Sequence, residues 1–187
     1  HCRYAAKMGA GSVIGVDISK RMLSEAQLRT NSSVIRYLHV PLEEYEYPKN
    51  TFDIVISSLA FHYTEDFEKL CYKITRCLVP GGEFIFSVEH PVFTAEGRQR
   101  WVLDEAGKPE HWPVDRYFDE GPRKSLFLDT EVVKYHRTLT TYIHTLIRCG
   151  LSLTGLTEPK PAEYLMNDPD MKDELRRPMM LLISAKK

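Results

Sequence analysis

The chain has 187 residues, and its 25 Lys and Arg side chains nearly balance its 26 Asp and Glu side chains. This length suits a single domain that buries a sizeable hydrophobic core. The balanced charge, without long runs of one sign, excludes the basic surface that a nucleic acid or an anionic membrane needs. No apolar run approaches the roughly 20 residues of a membrane-spanning helix. We therefore expect a protein that acts on a small molecule, with neither nucleic acid nor membrane as a partner.

The cysteine and histidine spacings indicate free thiols and no metal site. The four cysteines form no C-x-x-C pair and have no metal-like spacing with histidine; they are Cys2, Cys71, Cys77 and Cys149. The seven histidines show no H-x-H, H-x-x-x-H or H-E-x-x-H spacing. Because free thiols are typical of a reducing compartment, we expect a cytoplasmic protein without a bound metal.

The most informative segment lies near the start of the chain. Residues 12–16 predict a short strand that ends in an acid, Asp17, and residues 18–23 predict the start of a helix with Ser19 as its N-cap. A carboxylate at this point of a βαβ unit binds the ribose hydroxyls of a nucleoside, although it would equally serve as a cap for the next helix. The glycine-rich turn of such a unit lies about 20 residues upstream of the acid, but only 16 residues precede Asp17. Residues 1–7 predict the helix after that turn, so we expect the first strand and the glycine loop to be absent from this chain.

Strands and helices then alternate regularly. Apolar, β-rich runs predict strands over residues 34–39, 52–57 and 83–88. Apolar residues at helical spacing predict a helix over 67–78, which ends before the Pro-Gly-Gly sequence at 80–82. This alternation predicts an α/β fold with a mostly parallel sheet between two layers of helices.

Residues 90–130 interrupt the pattern. They combine prolines, glycines and charges with aromatic side chains, namely Phe93, Trp101, Trp112, Tyr117 and Phe118. A long segment without periodicity is usually functional or disordered. We expect an insertion or lid over the acceptor site, roofed by its aromatic residues; the alternative is that these side chains only anchor the insertion.

The last quarter of the sequence predicts one long helix and two strands. Asp129 or Thr130 would cap a helix that ends at Gly150, with an apolar stripe formed by Val132, His136, Leu139, Ile143, Leu146 and Ile147. The runs 151–156 and 179–185 predict two strands that pair antiparallel at a sheet edge.

Three segments together resemble a known family. They are GVDISKRML at 15–23, YPKNTFDIVISSLAFHY at 47–63 and LVPGGEFIFSVEHP at 78–91. These segments are similar to the class I, Rossmann-like S-adenosylmethionine-dependent methyltransferases, in particular their small-molecule branch, and the resemblance covers residues 1–90. It implies a three-layer fold with an antiparallel C-terminal strand pair, a single domain over residues 1–187 that is incomplete at its N-terminus, and S-adenosyl-L-methionine as cofactor.

The resemblance also implies roles for individual residues at the carboxyl ends of the strands, where ligands of open parallel sheets bind. Asp17 would hold the ribose, and Ile18 and Met22 would pack near the adenine. Leu42 and Glu43 would contact the adenine rim through their backbone. Ser58 and Leu59 would flank the methionine moiety. For Met22 and Leu59 the alternative is an ordinary core position.

Methyl transfer mainly requires that the acceptor is positioned and, where needed, deprotonated. Histidine is suited to be the base, and His62 and His90 follow neighbouring strands, so they would meet above the methyl group with Glu89 orienting one of them. The alternative for each is a hydrogen bond within a loop. Tyr63 would contact the acceptor.

His136 is a third candidate base, or else a core histidine bonded to the backbone. With Tyr135 and Arg137 it would form the far wall of the acceptor pocket. Arg137 would hold a carboxylate or phosphate by its two-pronged geometry, which suggests an anionic acceptor.

Two other functions stay open at this point. A nicotinamide-dependent oxidoreductase also uses an acid after its second strand, and a non-catalytic methyltransferase-like module would keep the fold as a binding partner. A homodimer is compatible with this architecture, although no residue pattern demands one.

Overall fold

The structure, a computed structural model, describes residues 1–127 and 130–187. The chain forms two units, His1–Tyr47 and Pro48–Lys187. Among the described residues, no helix has the length and apolar character needed to cross a membrane.

The first unit is a parallel strand pair with two helices. Helix α1 spans Cys2–Lys7, strand β1 Val13–Asp17, helix α2 Lys20–Leu28 and strand β2 Ile35–His39. Strands β1 and β2 run parallel, with Asp17 opposite His39. Ser19 caps α2 as predicted, because its hydroxyl accepts a hydrogen bond from the Met22 N–H. The cap places Asp17 at the turn between strand and helix.

The second unit is built on a four-stranded sheet. Strand β3 spans Phe52–Ser58 and β4 spans Leu78–Glu89; β9, Ser152–Thr157, and β10, Met180–Lys186, close the chain. Their order is β3-β4-β10-β9, with β3 and β4 parallel and β10 antiparallel to both of its neighbours. The predicted antiparallel pairing of the two C-terminal runs is therefore confirmed, as is the α/β class.

Two helices of this unit are capped by side chains. Helix α3, Phe67–Cys77, begins after Asp66, whose carboxylate accepts from the Lys69 N–H, and α5, Leu139–Arg148, begins after Thr138, which accepts from the Thr141 N–H. The rings of the core are buried in mutual contact; they are Phe61, Phe67, Phe84, Phe86 and Tyr142. Burying each such ring stabilises the fold by about 1.5–3 kcal/mol. The 3₁₀ turn Phe61–Tyr63 is thus anchored to the sheet by its first residue.

The region after β4 contains a short helix and two hairpins. Helix α4 spans Pro91–Thr94, strands β5 (Val102–Leu103) and β6 (Pro109–His111) pair antiparallel, and strands β7 (Gly121–Phe127) and β8 (Thr130–His136) form a longer antiparallel hairpin.

The prediction of one long helix from residue 130 to residue 150 is wrong over its first part. Residues Thr130–His136 form β8, and α5 begins only at Leu139, capped by Thr138. Thr130 caps no helix, and Asp129 lies outside the described residues. Burial in β8 alternates, with Lys134 and His136 buried. Since that inward face is polar, hydrophobic periodicity could not reveal the strand.

Candidate functional site

Asp17 ends β1 with a half-buried carboxylate. Its Oδ1 accepts a hydrogen bond from the Ser19 N–H at 2.7 Å, so Asp17 does help to start the helix. Among the residues that the structure describes, no other group donates to this carboxylate. The second oxygen is therefore free to accept hydrogen bonds from a ligand.

The apolar residues beside Asp17 are uncovered. Ile18 and Met22 are 68% and 60% exposed, which does not fit an ordinary core position for Met22. Leu42 is half-buried and Glu43 exposed, and the carbonyl of Leu42 accepts from the Tyr47 hydroxyl at 3.1 Å. A carboxylate next to open apolar surface fits a nucleoside, which offers ribose hydroxyls and a flat adenine ring.

In the second unit, a strained residue directly follows β3. Leu59 has φ +52°, the left-handed region that non-glycine residues rarely adopt. Its N–H holds this conformation by donating to the carbonyl of Ser87 at 2.9 Å and to the Ser87 hydroxyl at 3.2 Å. Ser58, just before it, is exposed. Such strain concentrates at ligand sites, where the surrounding structure imposes it.

His62 lies in the 3₁₀ turn that follows β3 and is 2% exposed. Its Nδ1 accepts a hydrogen bond from the backbone N–H of Glu89 at 3.3 Å. Burial lowers the pKa of His62 to about 4, with Lys134 and Arg137 adding to the effect and Glu89 opposing it. His62 is therefore neutral at pH 7.

The carboxylate of Glu89 belongs to a closed triangle of side chains. Lys134 Nζ donates to Glu89 Oε1 at 2.6 Å and to Gln99 Oε1 at 2.9 Å, and Gln99 Nε2 donates to Glu89 Oε2 at 2.6 Å. The Lys134 side chain is only 3% exposed, and Gln99 has φ +56°. Glu89 thus contacts His62 through its backbone N–H, while its carboxylate is held by Gln99 of the insertion and Lys134 of β8.

Tyr63 completes this cluster. Its ring centre lies 4.4 Å from that of His62 and 6.0 Å from Lys134 Nζ. Burial, and then Glu89, raise the pKa of the Tyr63 hydroxyl. At 39% exposure, Tyr63 is the side chain through which the cluster reaches the surface.

The ring of His90 is engaged elsewhere. Its Nδ1 accepts from the Val92 N–H at 3.1 Å and so caps α4, while Nε2 lies 3.0 Å from the carboxylate of Glu158. Burial lowers the pKa of His90, and Glu158 opposes this. These partners match the loop role that was the alternative for His90.

His136 is fully buried and bonded on both ring nitrogens. Nε2 donates to the carbonyl of Tyr117 at 2.9 Å, and Nδ1 accepts from the Thr94 hydroxyl at 2.7 Å. Burial lowers its pKa, and the bond to the Tyr117 carbonyl opposes this. The contacts match those of a core histidine.

Arg137 bonds to backbone carbonyls. Nη1 donates to Phe61 and Tyr135 at 3.4 Å each, and Nη2 donates to Thr64 and to Glu65. Its guanidinium carbon also lies 5.5 Å from the Phe67 ring centre and 5.8 Å from that of Tyr135. Both terminal nitrogens are thus used to fix the turn that carries His62, which leaves no two-pronged face for an anion.

Two tryptophans of the insertion form an aromatic cage with Phe93. Phe93 and Trp112 stack at 5.0 Å, and Trp101 meets Trp112 edge-on at 5.3 Å. The cage surrounds the guanidinium of Arg177, which lies before β10. Trp101, Trp112 and Arg177 border a cavity of about 280 Å³.

The other aromatic residues of the insertion differ from one another. The Tyr117 hydroxyl accepts from the Leu139 N–H at 3.2 Å, so Tyr117 anchors the insertion to α5. Phe118 is 90% exposed.

Sequence reasoning missed Gln99, Lys134 and Arg177. Lys134 lies 45 residues from Glu89, its partner, and no local spacing pairs them. The signal available in the sequence is the position of this lysine in the two-residue alternation of a strand, which places it on the inward face of a hairpin.

Comparison with known proteins gives consistent matches. The family described as "Methyltransferase domain" matches residues 1–86. A Listeria monocytogenes structure assigned as an S-adenosylmethionine-dependent methyltransferase is 52% identical, with a TM-score of 0.97 over 100% of this chain and 84% of its own. An S-adenosylmethionine-dependent methyltransferase from Mesorhizobium loti is 41% identical, with a TM-score of 0.90 over 100% of this chain and 85% of its own. An uncharacterised Haemophilus influenzae protein is 33% identical over 100% of this chain and 76% of its own length.

Proposed function

The chain belongs to the class I, Rossmann-like S-adenosylmethionine-dependent methyltransferases, and from that premise we propose that it methylates a small-molecule acceptor at the carboxyl ends of β3 and β4. The observation that carries the proposal is the buried polar cluster of His62, Glu89, Gln99 and Lys134, which opens to the surface at Tyr63. Such a cluster offers directed hydrogen bonds in a site from which water is largely removed. Because Gln99, which comes from the insertion, closes one side of this cluster, a small acceptor fits better than a polymer.

S-adenosyl-L-methionine supplies a methyl group on a sulfonium, which is electrophilic without further activation. In the first unit, we expect Asp17 to accept hydrogen bonds from the ribose hydroxyls, and Ile18 and Met22 to cover the adenine. Leu42 and Glu43 would contact the adenine rim through their backbone. In the second unit, Ser58 and Leu59 would flank the methionine moiety.

The residues of the second unit would position the acceptor. Tyr63 would pack against it, and the Glu89–Lys134–Gln99 triangle would hold the neighbouring His62 in place. The bonds of Arg137 to carbonyl oxygens remove the reason for expecting an anionic acceptor. Because Arg137 bonds to these carbonyls, we propose that Tyr135 and Arg137 stabilise the turn at Phe61–Tyr63 and do not contact the acceptor.

We further propose that residues 90–130 roof the acceptor site and that the enzyme works in the cytoplasm. The roof is supported by Gln99, which reaches Glu89 at the end of β4. The cytoplasmic site of action is supported by the four cysteines, all of which are free thiols.

Calorimetry with S-adenosylmethionine on the full-length protein tests the cofactor assignment. We expect a dissociation constant in the micromolar range for the unaltered protein and about tenfold weaker binding for Asp17→Asn. The asparagine oxygen still accepts from the Ser19 N–H, so the helix start is preserved while the charge offered to the ribose is lost. Asp104→Asn, in the exposed turn between β5 and β6, is the matched control and should bind normally.

The same measurement separates the competing functions. The comparisons do not favour an oxidoreductase or a non-catalytic module, and binding of a nicotinamide dinucleotide in place of S-adenosylmethionine would contradict the methyltransferase proposal. Absence of binding to either ligand would support a non-catalytic module.

A further inference from the structure

The tautomer of His62 follows from its partner. A peptide N–H can only donate, so the nitrogen that receives it must be unprotonated. The Glu89 N–H lies 3.3 Å from Nδ1 of His62. Neutral His62 therefore carries its proton on Nε2, which has no hydrogen-bond partner among the residues described.

The surroundings of His62 oppose a second proton. Lys134 and Arg137, both from β8 and the residues just after it, are cationic neighbours that disfavour a charged imidazole. Glu89 on β4 favours it, but both oxygens of that carboxylate are already bonded to Lys134 and Gln99. Tyr63, within the same turn, adds an uncharged ring. Protonation at Nδ1 would also break the bond from the Glu89 N–H.

Resting on the proposed function, we propose that His62 donates a hydrogen bond from Nε2 to an oxygen of the acceptor and does not take a proton from it. The acceptor is then a small molecule with an uncharged oxygen, such as a carbonyl oxygen, that accepts a hydrogen bond at, or next to, the atom that is methylated. In the transfer, the acceptor's lone pair forms the bond to the methyl carbon, the carbon–sulfur bond breaks with its electron pair left on sulfur, and any proton on the acceptor atom passes to water. Glu89, Lys134 and Gln99 are positioning residues that act through His62.

Nitrogen-15 NMR of the histidine rings in the full-length protein tests this without any acceptor. We expect the shift pattern of an Nε2–H tautomer for His62, with no titration above about pH 5. An Nδ1–H tautomer, or titration of His62 between about pH 6 and 7, would overturn the proposal. Neither result bears on binding of S-adenosylmethionine, so failure here and failure of the proposed function are distinguishable.

Two lysine substitutions on the β7–β8 hairpin, one at the cluster and one on the exposed face, test the positioning role. Lys134→Met removes a cation and frees the Glu89 carboxylate, so the pKa of His62 should move upward by about one unit or more. Lys124→Met removes an exposed lysine that pairs with Glu131 across the hairpin and should leave the His62 titration unchanged. An unchanged titration in folded Lys134→Met would refute the positioning role. If that variant does not fold, the tautomer of the unaltered protein still decides the main proposal.

Discussion

The guanidinium carbon of Arg177 lies 3.9 Å from the centre of the Trp112 ring. Phe93 and Trp101 flank the same cation at 4.6 and 5.2 Å, and both terminal nitrogens of Arg177 bond to the carboxylate of Glu174. This contact ties the segment before β10 to the insertion. Because residues before β10 lie beside the end of β4, it also fixes the insertion near the proposed acceptor site.

Arg177→Ala should lower the free energy of unfolding by about 2–4 kcal/mol. The variant loses the cation between three rings, and it leaves unpaired a Glu174 carboxylate whose side chain is only 16% exposed. Urea denaturation measures the change. Arg29→Ala removes a pair with Glu25 in which both side chains are exposed, and it should change stability by less than about 1 kcal/mol. Equal effects of the two substitutions would contradict this account of the cage.

Acidification should destabilise the protein, in part through His62. In the unfolded chain histidine titrates near pH 6.5, whereas the folded pKa of His62 is about 4. Between these values the unfolded chain binds more protons, so the free energy of unfolding falls as the pH drops from about 6.5 to about 4. His62 contributes about 3 kcal/mol to that loss. His90 and His136, whose pKa values burial also lowers, act in the same direction.

Unfolding free energies of His62→Gln between pH 4 and 7 check this contribution. Glutamine does not titrate, so the variant should show a shallower dependence on pH than the unaltered protein. His144→Gln, at an exposed position of α5, should keep the original slope. A slope in His62→Gln as steep as in the unaltered protein would show that His62 is not the group responsible.

The strands and helices up to residue 90 could be predicted because their faces differ in polarity at regular spacing. In α3 the buried residues recur at helical intervals, and β4 buries Phe84, Phe86 and Val88 at every second position. The same pattern found the C-terminal strand pair. It failed for β8, whose inward residues Lys134 and His136 are polar.

The candidate site was predictable only as far as local sequence defines it. His62 follows a strand, and strand ends are where ligands bind in such sheets. Its tautomer depends on the Glu89 N–H, 27 residues away. The triangle around Glu89 depends on a lysine from a hairpin whose inward face shows no apolar alternation. The sequence predicts an anion site at Arg137, because nothing in it indicates the bonds of this side chain to carbonyls 72 to 76 residues away.

Arg137→Ala should lower the free energy of unfolding, and this loss of stability should be its main effect. It removes a donor from each of the carbonyls of Phe61, Thr64 and Glu65, of which the Phe61 oxygen keeps the N–H and hydroxyl of Thr64. We expect urea denaturation to show a free energy of unfolding lower by about 2–4 kcal/mol. Arg137→Lys should recover only part of this, because lysine has one terminal nitrogen in place of the two of arginine. Arg148, which lines a cavity together with Arg137, is exposed and pairs with the exposed Glu68, so Arg148→Ala should be nearly neutral. A raised Michaelis constant for the acceptor with unchanged stability would restore the anion-binding role.

The strained backbone at Leu59 separates stability from cofactor binding. Leu59→Gly should relieve the cost of φ +52° and leave the free energy of unfolding unchanged or higher by about 1 kcal/mol. The same substitution removes the side chain proposed to flank the methionine moiety, so calorimetry should show weaker binding of S-adenosylmethionine. Asn50→Gly relieves a similar φ of +48° just before β3 and should leave that affinity unaltered. If both glycine variants bind the cofactor equally well, Leu59 is strained for the sake of the β3–β4 contact through Ser87 and not for a ligand.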